Sequence, residues 1–240
     1  MFTGPHIVTD GLVLSLDAAN TKSYQSGSTT WRDMSGNVNN GTLTNGPTFD
    51  SQNGGSIVFD GVNDYGIVNN SDSLVFGNDN FSVSLWLKFP ISSVGEGTPS
   101  QWGPIISKGC ATNAPAGTWW IAQTNTLSNE VTLNISSTTG GTFVCSIRTI
   151  AFTDGWHNVC ATRNGGTASI YSDGIFTRND TTSESNLTST RPLSICSTFI
   201  PSLSPKFVST SIGTIQIYNR ALTPQEVLQN FDATKSRYNL

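Results

Sequence analysis

The chain has four glutamates, Glu96, Glu130, Glu184 and Glu226, and two histidines, His6 and His157. Hydrolysis of a glycosidic bond needs two carboxyl groups across the scissile bond, about 5–5.5 Å apart for retention and further apart for inversion. On a strand, such a pair is most simply carried at positions two apart, which point the same way. None of the four glutamates has an acidic residue two positions away. Nucleophilic chemistry is no better served. His157 and Cys160 lie three apart on a strand-like run and so face opposite ways. There is no GxSxG elbow and no glycine-rich phosphate loop running into a helix. Loops can still bring distant carboxylates together, so a glycoside hydrolase stays as the last of three readings.

Binding chemistry leaves more traces. Asp60, Asn63 and Asp64 put three oxygen-bearing side chains into one turn, with Asp33 in the loop WRDMSG as a fourth. Hard cations want such oxygen clusters, so these four are a candidate Ca²⁺ set. The alternative is that they are turn formers whose side chains bond their own backbone. A pyranose presents a C–H face that stacks on a ring and hydroxyls that need amides or carboxylates. Trp102, Trp119, Trp120 and Tyr171 are the candidate carbohydrate-binding rings. Trp119 and Trp120 are adjacent in a strand and must point to opposite faces. Packing is the competing use of each, since Trp is highly buried on average.

Composition limits what can hold these residues. Charged residues make up 12% of the 240 positions, and the net charge is −4. The twelve basic residues are scattered, which argues against nucleic acid. Six Trp and twelve Phe supply a core, and disorder is excluded. No apolar run is long enough to span a bilayer, so no membrane insertion is expected. Met1 to His6 carry no basic and apolar leader, so synthesis in a host cytoplasm without a signal peptide is the expectation. Cys110, Cys145, Cys160 and Cys196 lack metal-binding spacing, and Cys160 reads as a small buried residue.

The elements are strands. Segments 11–17, 56–60, 64–68, 81–89, 104–108, 118–123, 131–136, 142–148, 156–163, 167–172, 175–178, 192–197 and 210–219 read as strands. Asn164-Gly165-Gly166 and Asp173-Gly174 mark two hairpins in succession. FSVSLWLKF at 81–89 alternates Phe81, Val83, Leu85, Leu87 and Phe89 against Ser82, Ser84, Trp86 and Lys88. Trp86 must therefore meet a second covering layer or stand exposed. Segments 91–103 and 109–117 read as long loops. One helix is expected at about 223–236. Thr223 is its cap, Pro224 its first residue and Glu226 the closing partner of a capping box, with Leu222 and Val227 as staple. Val227, Leu228 and Phe231 form its apolar stripe. Residues 1–10 form an N-terminal arm, and 11–240 form one domain.

Five strings in order carry a resemblance. GLVLSLDAAN (11–20), WRDMSGNVNNGTL (31–43), SIVFDGVNDYGIV (56–68), GWHNVCATRNGGTASIYSDG (155–174) and IYNRALTPQEV (217–227) are similar to the laminin-G-like, concanavalin A-like jelly-roll family. The resemblance implies an all-β, antiparallel two-sheet jelly-roll β-sandwich with one short C-terminal helix. Many members hold Ca²⁺ at a sandwich rim. This chain departs from a common pattern there, reading Ile212, Gly213, Thr214, Ile215 where others have Ile-Asp-Glu-Val. Related laminarinase-type enzymes carry Glu, Asp and Glu at alternating positions on one strand, a pattern this chain lacks. Free-standing domains of this kind, including the LSLDAANTKSY opening, are similar to virion proteins of tailed bacteriophages. The expectation is a non-catalytic virion-surface protein, a capsid decoration or a tail or fibre component, able to attach to glycans. Its expected partners are phage capsid or tail proteins, surface glycans and copies of itself in a homo-oligomer. The second reading is a lectin-like module with no virion.

Overall fold

The alternation at 81–89 is the centre of the structure. The computed structural model describes residues 5–95, 98–99, 103–109, 117–123, 129–136, 143–182, 186–198 and 205–240. Its strands in chain order are β1 (Leu12–Asp17), β2 (Thr30–Trp31), β3 (Gly41–Thr44), β4 (Thr48–Asp50), β5 (Ser56–Asp60) and β6 (Tyr65–Val68). Next come β7 (Phe81–Gly95), β8 (Thr98–Pro99), β9 (Gly103–Lys108), β10 (Trp119–Gln123), β11 (Val131–Ser136) and β12 (Phe143–Arg148). The last are β13 (Gly155–Asn164), β14 (Thr167–Ser172), β15 (Ile175–Thr181), β16 (Leu193–Ile195) and β17 (Lys206–Tyr218), followed by helix α1 (Pro224–Thr234).

Two antiparallel sheets face each other, which is the sandwich expected from the strand-and-turn pattern. One runs β15-β14-β13-β7-β17-β5-β4, with β1 on β17 and β8 on β7; the other runs β12-β11-β10-β9-β16-β6-β3-β2. Phe81, Val83, Leu85, Leu87 and Phe89 all point between the sheets, where they are buried with Trp31, Ile57, Phe59, Trp119, Ile121 and Leu133. In β17 the isoleucines are spaced unevenly, at 212, 215 and 217, yet all three are in this core. A register shift between Ile212 and Thr214, where β17 pairs with β7, takes up the odd residue, Gly213.

Trp86 meets a covering layer. The outer face of the first sheet carries two smaller clusters, Val8, Cys160, Tyr171, Tyr218, Leu222 and Val227 in one, and Trp86, Trp156 and Tyr238 in the other. Helix α1 and the tail after it lie over both. The capping box is complete, with Thr223 accepting from the Glu226 N–H and the Glu226 carboxylate accepting from the Thr223 N–H. The N-terminal arm is tied to the helix: Val8 N–H donates to Asn230 Oδ1 at 2.7 Å, and the Tyr218 hydroxyl donates to Val8 C=O at 3.1 Å.

Several local expectations need correction. Leu228 is 45% exposed, so the apolar stripe is narrower than three residues, and buried Asn230 takes part in its place. The polar loop at 31–43 contains Trp31 in β2, fully buried, and the start of β3. Strands of two to four residues are too short to show a period. β7 runs on to Gly95, so 91–95 is strand rather than loop. Of segment 109–117 only Gly109 and Gly117 are among the described residues.

Candidate functional site

Trp119 and Trp120 are not where a sugar could reach them. Trp119 is 1% exposed and packs in the core, its ring 5.2 Å from Phe81 and 6.3 Å from Phe76. Trp120 turns to the opposite face, as adjacent strand residues must, and is still only 3% exposed. Both are buried because both faces of β10 are covered. Trp102 lies outside the described residues.

Tyr171 does border a cleft. It sits on the outward face of β14 opposite Cys160 of β13, with Thr162 opposite Ser169 two pairs further along. The segment 221–224, linking β17 to α1, passes over this face and leaves a recess of about 310 Å³. Thr162, Asn164, Thr167, Ser169 and Thr223 bring four hydroxyls and one amide to its walls, and Leu222 and Tyr171 supply apolar surface. Tyr171 itself is 4% exposed, so it offers an edge and a hydroxyl rather than an open ring face. Burial pushes its phenol up, against the lowering effect of hydrogen bonds with the Thr162 and Ser169 hydroxyls. It therefore stays neutral, able to donate and accept. The recess is a polar socket with an apolar floor, sized for a small polar group.

Asp60, Asp64 and Asp33 of the candidate metal set each have a carboxylate oxygen that accepts hydrogen bonds. Asp60 Oδ1 accepts from the backbone N–H groups of Val62, Asn63 and Asp64 at 2.7, 3.3 and 3.4 Å. Asp64 Oδ2 accepts from Asp60 N–H at 3.2 Å. Asp64 is buried, and desolvation raises its carboxyl, opposed by that backbone bond and reinforced by the neighbouring Asp60 charge. Asp33 acts elsewhere. Its Oδ1 accepts from Ser15 and Ser35 N–H, both at 2.8 Å, and its Oδ2 accepts from Ser35 Oγ at 2.7 Å and Asn39 N–H at 3.0 Å. Asp33 shares no hydrogen-bond partner with Asp60, Asn63 or Asp64. Among the described residues no three His, Cys, Asp or Glu side chains are grouped to hold a metal ion. Asp33 is thus held apart from the Asp60 turn, and Asp60 bonds the backbone of its own turn as a turn former does.

One titratable pair was not legible. His157 Nδ1 lies 2.7 Å from Asp173 Oδ2, and Thr153 Oγ1 lies 3.3 Å from Nε2. Such a line of hydroxyl, imidazole and carboxylate has the order of a hydrolytic triad. Asp173 is also bonded to the backbone of β13: its Oδ1 accepts from Asn158 N–H at 2.8 Å, and Asp173 N–H donates to Asn158 C=O at 2.8 Å. These bonds fasten the β14–β15 turn to β13, with the imidazole packed 4.7 Å from the Phe152 ring. The signal was available in the two hairpins, which fold residue 173 back beside residue 158. His157 and Cys160 do lie on opposite faces, Cys160 in the cluster under the helix.

Comparison with known proteins adds the following. A family model described as the concanavalin A-like lectin/glucanases superfamily, of laminin G type, matches residues 60–228. No curated protein matches the chain. Among solved structures, the binding domain of Paraclostridial Mosquitocidal Protein 1 superposes with a TM-score of 0.67 at 17% identity, over 93% of this chain and 52% of that one. The binding domain of Botulinum Neurotoxin DC in complex with SialylT gives 0.69 at 15% identity, over 94% of this chain and 52% of that one. The same toxin's binding domain in complex with rat synaptotagmin II gives 0.67 at 16% identity, over 95% and 52%. At these identities the likeness is one of fold, and the chain spans about half the length of the domains it resembles.

Proposed function

This chain belongs to the concanavalin A-like lectin/glucanases superfamily, and from that premise we propose that it is a binding module with no catalysis of its own, whose ligand is a glycan. The recess beside Tyr171 carries the reading. Its hydroxyls and the Asn164 amide match the donors and acceptors of a sugar, and Leu222 provides the apolar floor. Among the described residues no carboxylate lines the recess, which supports binding over hydrolysis there. The toxin binding domains, one in complex with SialylT and one with rat synaptotagmin II, support the same general role for the fold.

A glycan array with the purified chain tests this directly. The expected result is a reproducible hit that Ser169→Phe, which fills the recess, abolishes without lowering the melting temperature. Silence across host surface polysaccharides would remove the glycan reading. A hit that survives Ser169→Phe would remove the recess as its site.

The setting proposed for the module is the surface of a bacteriophage particle, as a capsid decoration or a tail or fibre protein. The ordered resemblance that includes LSLDAANTKSY supports it. Mass spectrometry of purified particles should find the chain in stoichiometric amount, and its absence there would leave a lectin-like module with no virion.

A further inference from the structure

Among the described residues β15 ends its sheet and pairs on one side only, with β14. Six of its seven residues are exposed, among them Ile175 and Phe176. The strand contains no Pro and no Lys, two residues that commonly blunt an open edge. Its backbone orientation follows from one bond beyond its end: Thr182 N–H donates to Gly166 C=O at 2.7 Å. That bond continues the β14 ladder and assigns the groups bonded to β14 to even-numbered residues. The N–H and C=O of Asn179 and Thr181 therefore point away from the sheet. Thr181 N–H is met by the side chain of Asp180 at 2.8 Å, while among the described residues no other strand is hydrogen-bonded to the Asn179 groups; β12 of the facing sheet lies near β15 without pairing with it.

Arg178 and Asp180 flank Asn179 on the same face of the strand, being two residues apart. This small sequence is charge-complementary to itself when read backwards. We infer that β15 is a self-pairing edge, which takes the β15 of a second copy of this chain, antiparallel, about a two-fold axis at Asn179. Asn179 then exchanges both backbone bonds with Asn179 of the second copy. Arg178 lies directly opposite Asp180 of the second copy, and the reverse pair forms by symmetry. Both are non-hydrogen-bonded positions, where side chains approach most closely. The two nine-stranded sheets become one continuous sheet. The charge palindrome favours a second copy over an unrelated strand, which would have no reason to present the reversed order. The inference does not depend on the glycan reading.

The test is light scattering after size exclusion of the full chain at high micromolar concentration, compared with three variants. The wild type should be a dimer. Arg178→Asp puts like charges opposite each other at both pairs and should weaken the dimer about tenfold. The exchange Arg178→Asp with Asp180→Arg restores complementarity in a two-fold pair and should recover it. Asn179→Pro removes an outward N–H that the fold does not use, so it should abolish the dimer with little change in melting temperature. A monomeric wild type would overturn the inference. So would a dimer that the single charge reversal leaves intact or that the double exchange fails to restore.

Discussion

Trp86 stacks on Tyr238, with ring centroids 4.0 Å apart and planes 19° from parallel. A residue from the middle of the central strand thus meets one from the last turn of the chain, across the outer face of the sheet. Phe231 also stacks on the indole, with centroids 5.6 Å apart, and Trp86 Nε1–H donates to Thr234 Oγ1 at 2.9 Å. Trp156 joins from β13, its ring 4.8 Å from Tyr238. The C-terminal segment is therefore a third layer over the sandwich, and its aromatic anchor is specific in position.

Gly213 makes that position accessible. A Cβ placed there would fall inside van der Waals contact with the Tyr238 hydroxyl. Gly213→Ala should destabilise the domain by about 1–3 kcal/mol, as overpacking of a filled site does. Removing the obstructing oxygen with Tyr238→Phe should return part of that loss in the double variant. Chemical denaturation of the two single variants and the double variant measures it; strictly additive losses would mean that the two residues do not compete for space.

Glu226 gives the helix start a pH dependence. Its hydrogen bonds with the Arg220 guanidinium, at 2.7 and 2.9 Å, are the main reason its carboxyl is held down at about 2, with burial opposing and the Thr223 bonds assisting. The ordinary value is 4.5. A depressed folded value means that the stabilisation is fully present above the ordinary value and is lost as pH falls from about 4.5 through about 2. The melting temperature of Glu226→Gln should therefore lie below that of the wild type at neutral pH and converge with it in this acid window. A constant gap down to pH 2 would rule out the carboxylate as the cause.

The long elements were legible because their periods are complete. Five alternating apolar residues fix the buried face of β7, and the Thr223-Pro224-Glu226 string fixes the helix start to the residue. Trp31 was not legible, because a two-residue strand between polar turns has no period to read. Site residues fared worse for a different reason. Trp119 and Trp120 share one residue type, but exposure depends on what covers each face of β10, which is a tertiary fact. The Tyr171 recess exists only where the 221–224 link crosses β14, so its walls come from segments some fifty residues apart in the chain. The Asp60 turn could be read either way from composition, and its bonds to its own backbone appear only in the folded chain.

Thiol chemistry follows from burial. Cys145 and Cys160 are pushed up to about 12 by desolvation, and Cys196 is raised by the same cause. All three are free and buried. At pH 8 a thiol with such a value is about one part in ten thousand thiolate, and it is the thiolate that reacts. Native protein treated with a thiol reagent should leave these three unmodified, and denatured protein should label all of them, as peptide mass mapping would show. Rapid native labelling of Cys160 would mean that the helix opens readily from the sheet.

Loss of the C-terminal layer should be more than a local change. A chain ending at Arg220 lacks Leu222, Val227, Phe231 and Tyr238, and so uncovers Trp86, Trp156, Cys160 and Tyr218. It also lacks Arg237, whose guanidinium donates to Asp17 Oδ1 at 2.7 Å and to the carbonyls of Asn53 and Gly55, both at 2.8 Å. Uncovering a large apolar side chain costs about 1.5–3 kcal/mol. Several such losses approach the whole net stability of a domain, roughly 5–15 kcal/mol. The truncated chain should therefore fail to unfold cooperatively on heating, whereas Arg237→Ala alone, which keeps the aromatic stack, should lower the melting temperature and remain cooperative. Scanning calorimetry distinguishes the two. A truncated chain with an unchanged melting temperature would mean that the helix serves a partner instead of the sheet beneath it.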